Sequence, residues 1–304
     1  MSIWLIFGSL LGVIEFSQQQ LLTPLTKTSP ELFPYQVYVE ADLYCLGALI
    51  STRFVVVNAI CIESRNHAEV HLGTESDPFY NIFGTKGQVI KASELLPHPE
   101  FGKRYTDHVL VNNIGLIKLR DPAILTSKVQ PIKLPSKYDF PLLPGTLLNV
   151  TGYMDSIFMS DILRFMTVKV RPQEQCQEFY GKDFMTDVEQ CVEATGRRID
   201  WPGVFAMDGK LVGLARELSR SIDCVVSDSS CSKHDVFLSI GPYLDWIYEN
   251  SDVPRTAPLV RIIRIQQPQF VPKPLNRLQI VLPPSPIIVP ELVNIHDREG
   301  FDYI

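Results

Sequence analysis

Apolar residues in this chain come in short runs rather than in long stripes. Between Tyr35 and Ile240 these runs are rich in Val, Ile, Leu, Tyr and Phe, are separated by turn residues, and have almost no sustained helical period. The pattern predicts strands at Gln36 to Val39, Phe54 to Val57, Ala68 to Leu72, Ile114 to Leu119 and Leu147 to Val150. A hairpin is marked by Val204 to Ala206, then Met207-Asp208-Gly209-Lys210, then Leu211 to Leu214. Asp-Gly supplies the positive φ angles that a tight hairpin turn requires. One convincing helical stripe comes late, where Tyr243, Leu244, Trp246 and Ile247 fall on one face of a short closing helix.

The two ends read differently. Ile3 to Ile14 is an almost unbroken apolar stretch of about a dozen residues, shorter than the roughly 20 that span a bilayer. It reads as a signal peptide over residues 1–17, although no Lys or Arg precedes it and Glu15 follows it. The globular domain is then expected over 18–250. Beyond Asn250 the composition changes: nine prolines and no cysteine lie between Ser251 and Ile304. This extension, 251–304, also carries apolar runs such as Leu259 to Ile265 and Leu278 to Leu282. A segment packed along the domain, an extended segment that docks a partner, and simple disorder all remain open for it. No internal repeat occurs at a fixed period.

Composition narrows the class. In 304 residues, 45% are hydrophobic and 20% charged, enough to bury a sizeable core and too apolar for wholesale disorder. The 28 basic and 34 acidic residues give a formal charge of −6, so no nucleic-acid footprint is expected. Six cysteines, an even number, suit an oxidising compartment and therefore a secreted, extracellular protein. No other stretch is long enough to be a transmembrane segment.

Cys45 to Cys61 spells CLGALISTRFVVVNAIC. It resembles C-G-G-S-L-I-S-x-x-W-V-L-T-A-A-H-C of the trypsin-like serine proteases (peptidase S1), with the same spacing between the cysteines. Further similarities follow in order. Phe33 to Val37 resembles F-P-W-Q-V, Pro97 to Phe101 contains H-P-x-F, and Asn112 to Leu119 resembles N-D-I-A-L-L-K-L. Val129 to Pro135 resembles V-x-P-I-x-L-P, and Val150 to Tyr153 resembles V-T-G-W. Ile199 to Gly213 aligns without a gap to G-D-S-G-G-P-L-V-C-N-G-K-L-V-G, and Tyr243 to Ile247 resembles Y-L-D-W-I. The resemblance runs from about Leu22 to Asn250. It implies an all-β fold, a double antiparallel β-barrel with a C-terminal helix.

In the enzymes of that family a serine attacks the scissile carbonyl, a histidine takes its proton and an aspartate orients the histidine. Carried over by the resemblance, the histidine position is Ile60, the aspartate position Asn113 and the serine position Trp201. Isoleucine has no atom to accept a proton, and an indole N–H is only a donor. The oxyanion-hole glycine position is Ile199, whose β-branched side chain restricts the backbone. Asp200 occupies the aspartate position that pairs with the new amino terminus in activated members. No basic residue precedes Lys27, so the activating cut is absent too. Asp200 is expected as a relic carboxylate with local hydrogen bonds. The resemblance also pairs Cys45 with Cys61 and Cys176 with Cys191. The family's third pair lacks one member, since that position is Arg197, which leaves Cys224 and Cys231 to bond to each other.

The remaining chemistry-bearing residues are set aside. His67 and His71, four apart, would pair on a helix, but AEVHLG reads as a strand, where they stand apart, so no metal site and no cofactor is expected. His98 belongs to a loop, with nothing marking it as a substitute base. Asn149-Val150-Thr151 is a glycosylation sequon inside a predicted strand. The expectation is a secreted protease homologue without catalysis, binding a protein or surface as adaptor, protease cofactor or decoy. The alternatives are a serine endopeptidase with residual activity and a scaffold carrying a partner-binding tail. Oligomeric state is not legible.

Overall fold

The computed structural model describes residues 25–76, 87–102, 110–154, 162–193, 203–216 and 234–255. The chain divides into two compact units, 1–256 and 257–304, and every described residue lies in the first. The expected signal peptide, and the extension beyond Arg255, lie outside the described residues.

Six strands form the first barrel: β2 (Gln36–Ala41), β3 (Leu43–Leu49), β4 (Phe54–Val57), β5 (Glu69–Leu72), β6 (Gln88–Pro97) and β7 (Gly115–Leu119), after a two-residue β1 (Thr26–Lys27). They close in the order β2-β3-β4-β7-β6-β5, every pairing antiparallel. The second set is β8 (Leu147–Met154), β9 (Ile162–Val170), β10 (Glu189–Glu193), β11 (Val204–Met207), β12 (Lys210–Ala215) and β13 (His234–Ser239). Its order β9-β10-β13-β12-β11-β8 returns to β9, so this barrel also closes, and β1 adds an edge to β9 at Phe165 and Arg164. The fold is therefore two six-stranded antiparallel barrels, and closure leaves few free edges. A short helix α2 (Leu244–Glu249) follows β13, and an eight-residue α1 (Gln173–Tyr180) joins β9 to β10.

Burial explains which runs alternate. In β9, Leu163, Met166, Val168 and Val170 are buried while Arg164, Thr167 and Lys169 stay half-buried, because one face looks outward. In β4 all four residues of Phe-Val-Val-Val are buried. Val55 and Val57 fill the first barrel, while Phe54 and Val56 join a second core between the barrels. A strand buried on both faces reads as a continuous apolar run. That shared core includes Phe33, Tyr35 and Leu116 from the first half and Val204, Leu214 and Ile247 from the second. Polar bonds cross it as well: Thr151 donates to Gln36 Oε1 at 2.6 Å.

The predicted hairpin is present. Met207 pairs with Lys210, and Asp208 and Gly209 have φ of 49° and 71°, the turn that matches strand twist. A register shift after Phe205 leaves Val212 as an extra residue, so that Leu211 and Leu214 reach the same inter-barrel core.

α1 departs from the expectation that only the closing helix is present. Its sequence, QEQCQEFY, buries only Cys176, so no apolar stripe announces it. The disulfide from Cys176 to Cys191 on β10 anchors it instead. Among the described residues, no helix is long and apolar enough to cross a membrane.

Candidate functional site

β4 runs out at Val57 and the chain turns through Asn58 into a single 3-10 turn, Ala59–Cys61. Two contacts fix the ends of this turn. The Cys45–Cys61 disulfide ties it to β3, and the Asn58 side chain donates to the carbonyls of Asn113 and Ala215, at 3.2 and 3.4 Å. Three elements thereby meet: the end of β4, the residues before β7 and the end of β12 in the second barrel.

The first two positions implied by the resemblance are brought together. Asn113 is 3% exposed, and its Oδ1 accepts a hydrogen bond from the Ile60 backbone N–H at 3.0 Å. The Ile60 side chain is half-buried and packs against the first-barrel core. The Asn113 amide nitrogen is buried with no hydrogen-bond partner among the described residues. An amide at this position keeps the acceptor that holds the 3-10 turn but contributes no negative charge, and Ile60 offers nothing to protonate. Among the described residues, no carboxylate or imidazole is hydrogen-bonded to either side chain.

Around this pair the polar groups are occupied. Asn112, at φ 53°, accepts from the Tyr243 hydroxyl at 3.1 Å and donates to the Glu100 carbonyl. Burial, with the Glu189 carboxylate adding to it, pushes the Tyr243 phenol well above its ordinary value, so it remains a donor. His98 packs its ring against Tyr243 and Trp246 and accepts from the Glu100 N–H, which accounts for it as a loop-fixing residue.

The sequence reading missed a buried ion pair in the second barrel. Arg216, just past β12, meets Glu189 at 3.1 Å, with side chains 10% and 0% exposed. Arg216 also donates to the Asp183 carbonyl and lies over the Tyr180 ring, while Glu189 accepts from the Met185 N–H. Burial raises the Glu189 carboxyl and the Arg216 charge opposes that rise. Nothing in the sequence links two residues 27 positions apart.

The other expectations divide by region. The Cys45–Cys61 and Cys176–Cys191 pairs are present. Ile199, Asp200, Trp201, Cys224 and Cys231 lie outside the described residues. Asn149 is exposed on β8, its Oδ1 accepting from Thr167, whereas Thr151 of the same sequon is fully buried.

Comparison with known proteins agrees with this geometry. The trypsin domain family matches residues 25–201, more than half of the chain. Anionic trypsin of Canis lupus familiaris is 28% identical over 225 residues, covering 70% of this chain and 83% of the relative. HL collagenase has the same fold, with a TM-score of 0.62 at 22% identity, covering 74% of this chain and 96% of that one. So does an inactivated protease paralogue of the scabies mite, with a TM-score of 0.59 at 23% identity, covering 74% and 97%. Ordered motifs, two closed barrels and a family match that covers the first barrel and runs into the second lead to one assignment: the chain belongs to the trypsin-like serine protease family, peptidase S1.

Proposed function

We propose that this chain is a secreted, non-catalytic member of its family that acts by binding a protein or a surface through the loops of its rigid double barrel. The observation that carries the reading is the bond from the Ile60 N–H to Asn113 Oδ1. It fits a turn kept for structure at positions where the family's chemistry calls for a base and the carboxylate that orients it. An isoleucine side chain cannot take a proton from any nucleophile, and a neutral amide cannot stabilise an imidazolium. Trp201 at the serine position extends the argument, since an indole cannot form an acyl-enzyme. The apolar stretch Ile3 to Ile14 and the two disulfides support secretion. A fold shared with an inactivated protease paralogue does not by itself commit a chain to catalysis.

The test is labelling of the full chain by a fluorophosphonate probe, with and without prior treatment by an active-site serine inhibitor. No inhibitor-sensitive label is expected. A label that the inhibitor abolishes would overturn the proposal and restore the reading as a serine hydrolase. The triple variant Ile60→His, Asn113→Asp, Trp201→Ser is expected to stay inactive, because Ile199 and the missing activation terminus are untouched by it.

A further inference from the structure

β2 and β5 are antiparallel neighbours in the first barrel, with Glu40 directly opposite Glu69 and Tyr38 opposite His71. Val37, Val39, Val70 and Leu72 fill the barrel, so alternation sends Glu40, Glu69 and His71 to the outer face. Two carboxylates directly opposite one another repel. Yet here an imidazole joins them: His71 Nε2 lies 3.3 Å from Glu40 Oε2, and one ligand atom from each of the three residues falls within 4.8 Å of the others.

His71 is not a solvated surface histidine. Its side chain is 10% exposed and its ring packs edge-on against Tyr38 at 5.9 Å, which fixes the direction of the nitrogen. The two glutamates are the more accessible partners, one exposed and one half-buried. The cavity beside them, about 370 Å³, is lined by Glu40, Asp42, His67 and Glu69, all residues that can ligate a metal. Lys91 reaches Glu69 only at 3.6 Å, and Arg65 is engaged by Asp42.

We propose that Glu40, Glu69 and His71 form a binding site for a divalent transition-metal ion of the zinc class on the outer wall of the first barrel. Bonds of about 2.0–2.1 Å in a tetrahedron set neighbouring ligand atoms about 3.3–3.4 Å apart. The His71 to Glu40 separation already has that value, and rotation of the Glu69 side chain closes the third corner. Two carboxylates balance the charge of a divalent ion. The fourth position is left to water, since Asp42 is already paired with Arg65. The donor set selects the class: calcium takes six to eight oxygens, whereas one imidazole nitrogen with two carboxylates suits zinc and its neighbours. Helical spacing could not find this site, because the second ligand comes from the adjacent strand, 31 residues away from His71.

Zinc chloride titrated into the full chain by calorimetry is the direct test. One-to-one binding is expected, with a zinc-dependent rise in melting temperature that calcium does not reproduce. Glu40→Gln and Glu69→Gln alter outward side chains, and each is expected to weaken zinc binding by at least about tenfold, as is His71→Gln. His98→Gln, on a different loop, leaves the affinity unchanged. The proposal is overturned if the unmodified chain binds no zinc saturably, or if both glutamate variants bind it as tightly as the parent.

Discussion

Asn113 keeps half of what a carboxylate offers at its position. Its oxygen still accepts from the Ile60 N–H, so the 3-10 turn survives, while its nitrogen is buried with no partner among the described residues. A buried orphan donor costs on the order of 1–3 kcal/mol, which the surrounding core has to offset. Both residues were legible from the sequence because ordered motifs flank them, but the bond between them was not. Asp139 shows how a surface charge carries pH dependence. It closes a capping box with Ser136 and bonds Lys210 at 2.9 Å. The Lys210 bond holds its carboxyl below the ordinary 3.8. A depressed folded value means that the stabilisation is fully present above 3.8 and is lost as pH falls through the lowered value. Asp139→Asn should therefore cost about 0.5–1 kcal/mol at neutral pH, given that both partners are partly screened by solvent. Below the carboxylate range the difference from the parent should vanish. Urea unfolding of both chains at the two pH values measures it, and a cost that persists in acid would assign the effect to the cap alone.

At the scale of elements, β4 was found to the residue from its continuous apolar run, whereas β9, whose burial alternates, was not singled out. Strand ends were less so, because β8 continues through Thr151 to Met154, held by β9 along its length. α1 was invisible because a covalent bond rather than a hydrophobic face holds it. The pairing of β12 with β13 depends on a close approach that no pattern announces. A Cβ on Gly213 would sit 2.3 Å from the Phe237 ring and 2.7 Å from the Leu238 carbonyl. Phe237 is itself fully buried and stacked on Phe205 at 4.7 Å, so the ring has little room to retreat. Gly213→Ala should destabilise the chain by about 1–3 kcal/mol or more through overpacking. Thermal unfolding followed by near-ultraviolet circular dichroism would register both the lowered midpoint and the disturbed aromatic pair. An unchanged midpoint would mean that β12 moves away from β13 at low cost.

The two barrels were legible as a pair because eight motifs occur in family order, but what joins them was not, since its partners are far apart in sequence. Gln36, in the first barrel, is buried. Its side chain donates to the Val37 and Gly47 carbonyls at 3.2 and 3.4 Å and accepts from Thr151 in the second barrel. The same threonine completes the sequon that begins at Asn149, so one position carries both a structural bond and a modification signal. Substitutions separate the two. Thr151→Val keeps the shape and removes the hydroxyl, leaving the buried Gln36 Oε1 short of a donor. The expected loss is about 1–3 kcal/mol. Asn149→Gln deletes the sequon at an exposed site and should change stability by less than about 0.5 kcal/mol in a host that adds no glycan. Thr151→Ser retains both hydroxyl and sequon and should lie near the parent. If the barrels unfold as one cooperative unit, Thr151→Val lowers a single transition seen equally by every probe. If instead the transition splits and only the second barrel shifts, the Gln36 bond serves that barrel alone, and the shared apolar core holds the halves together without it.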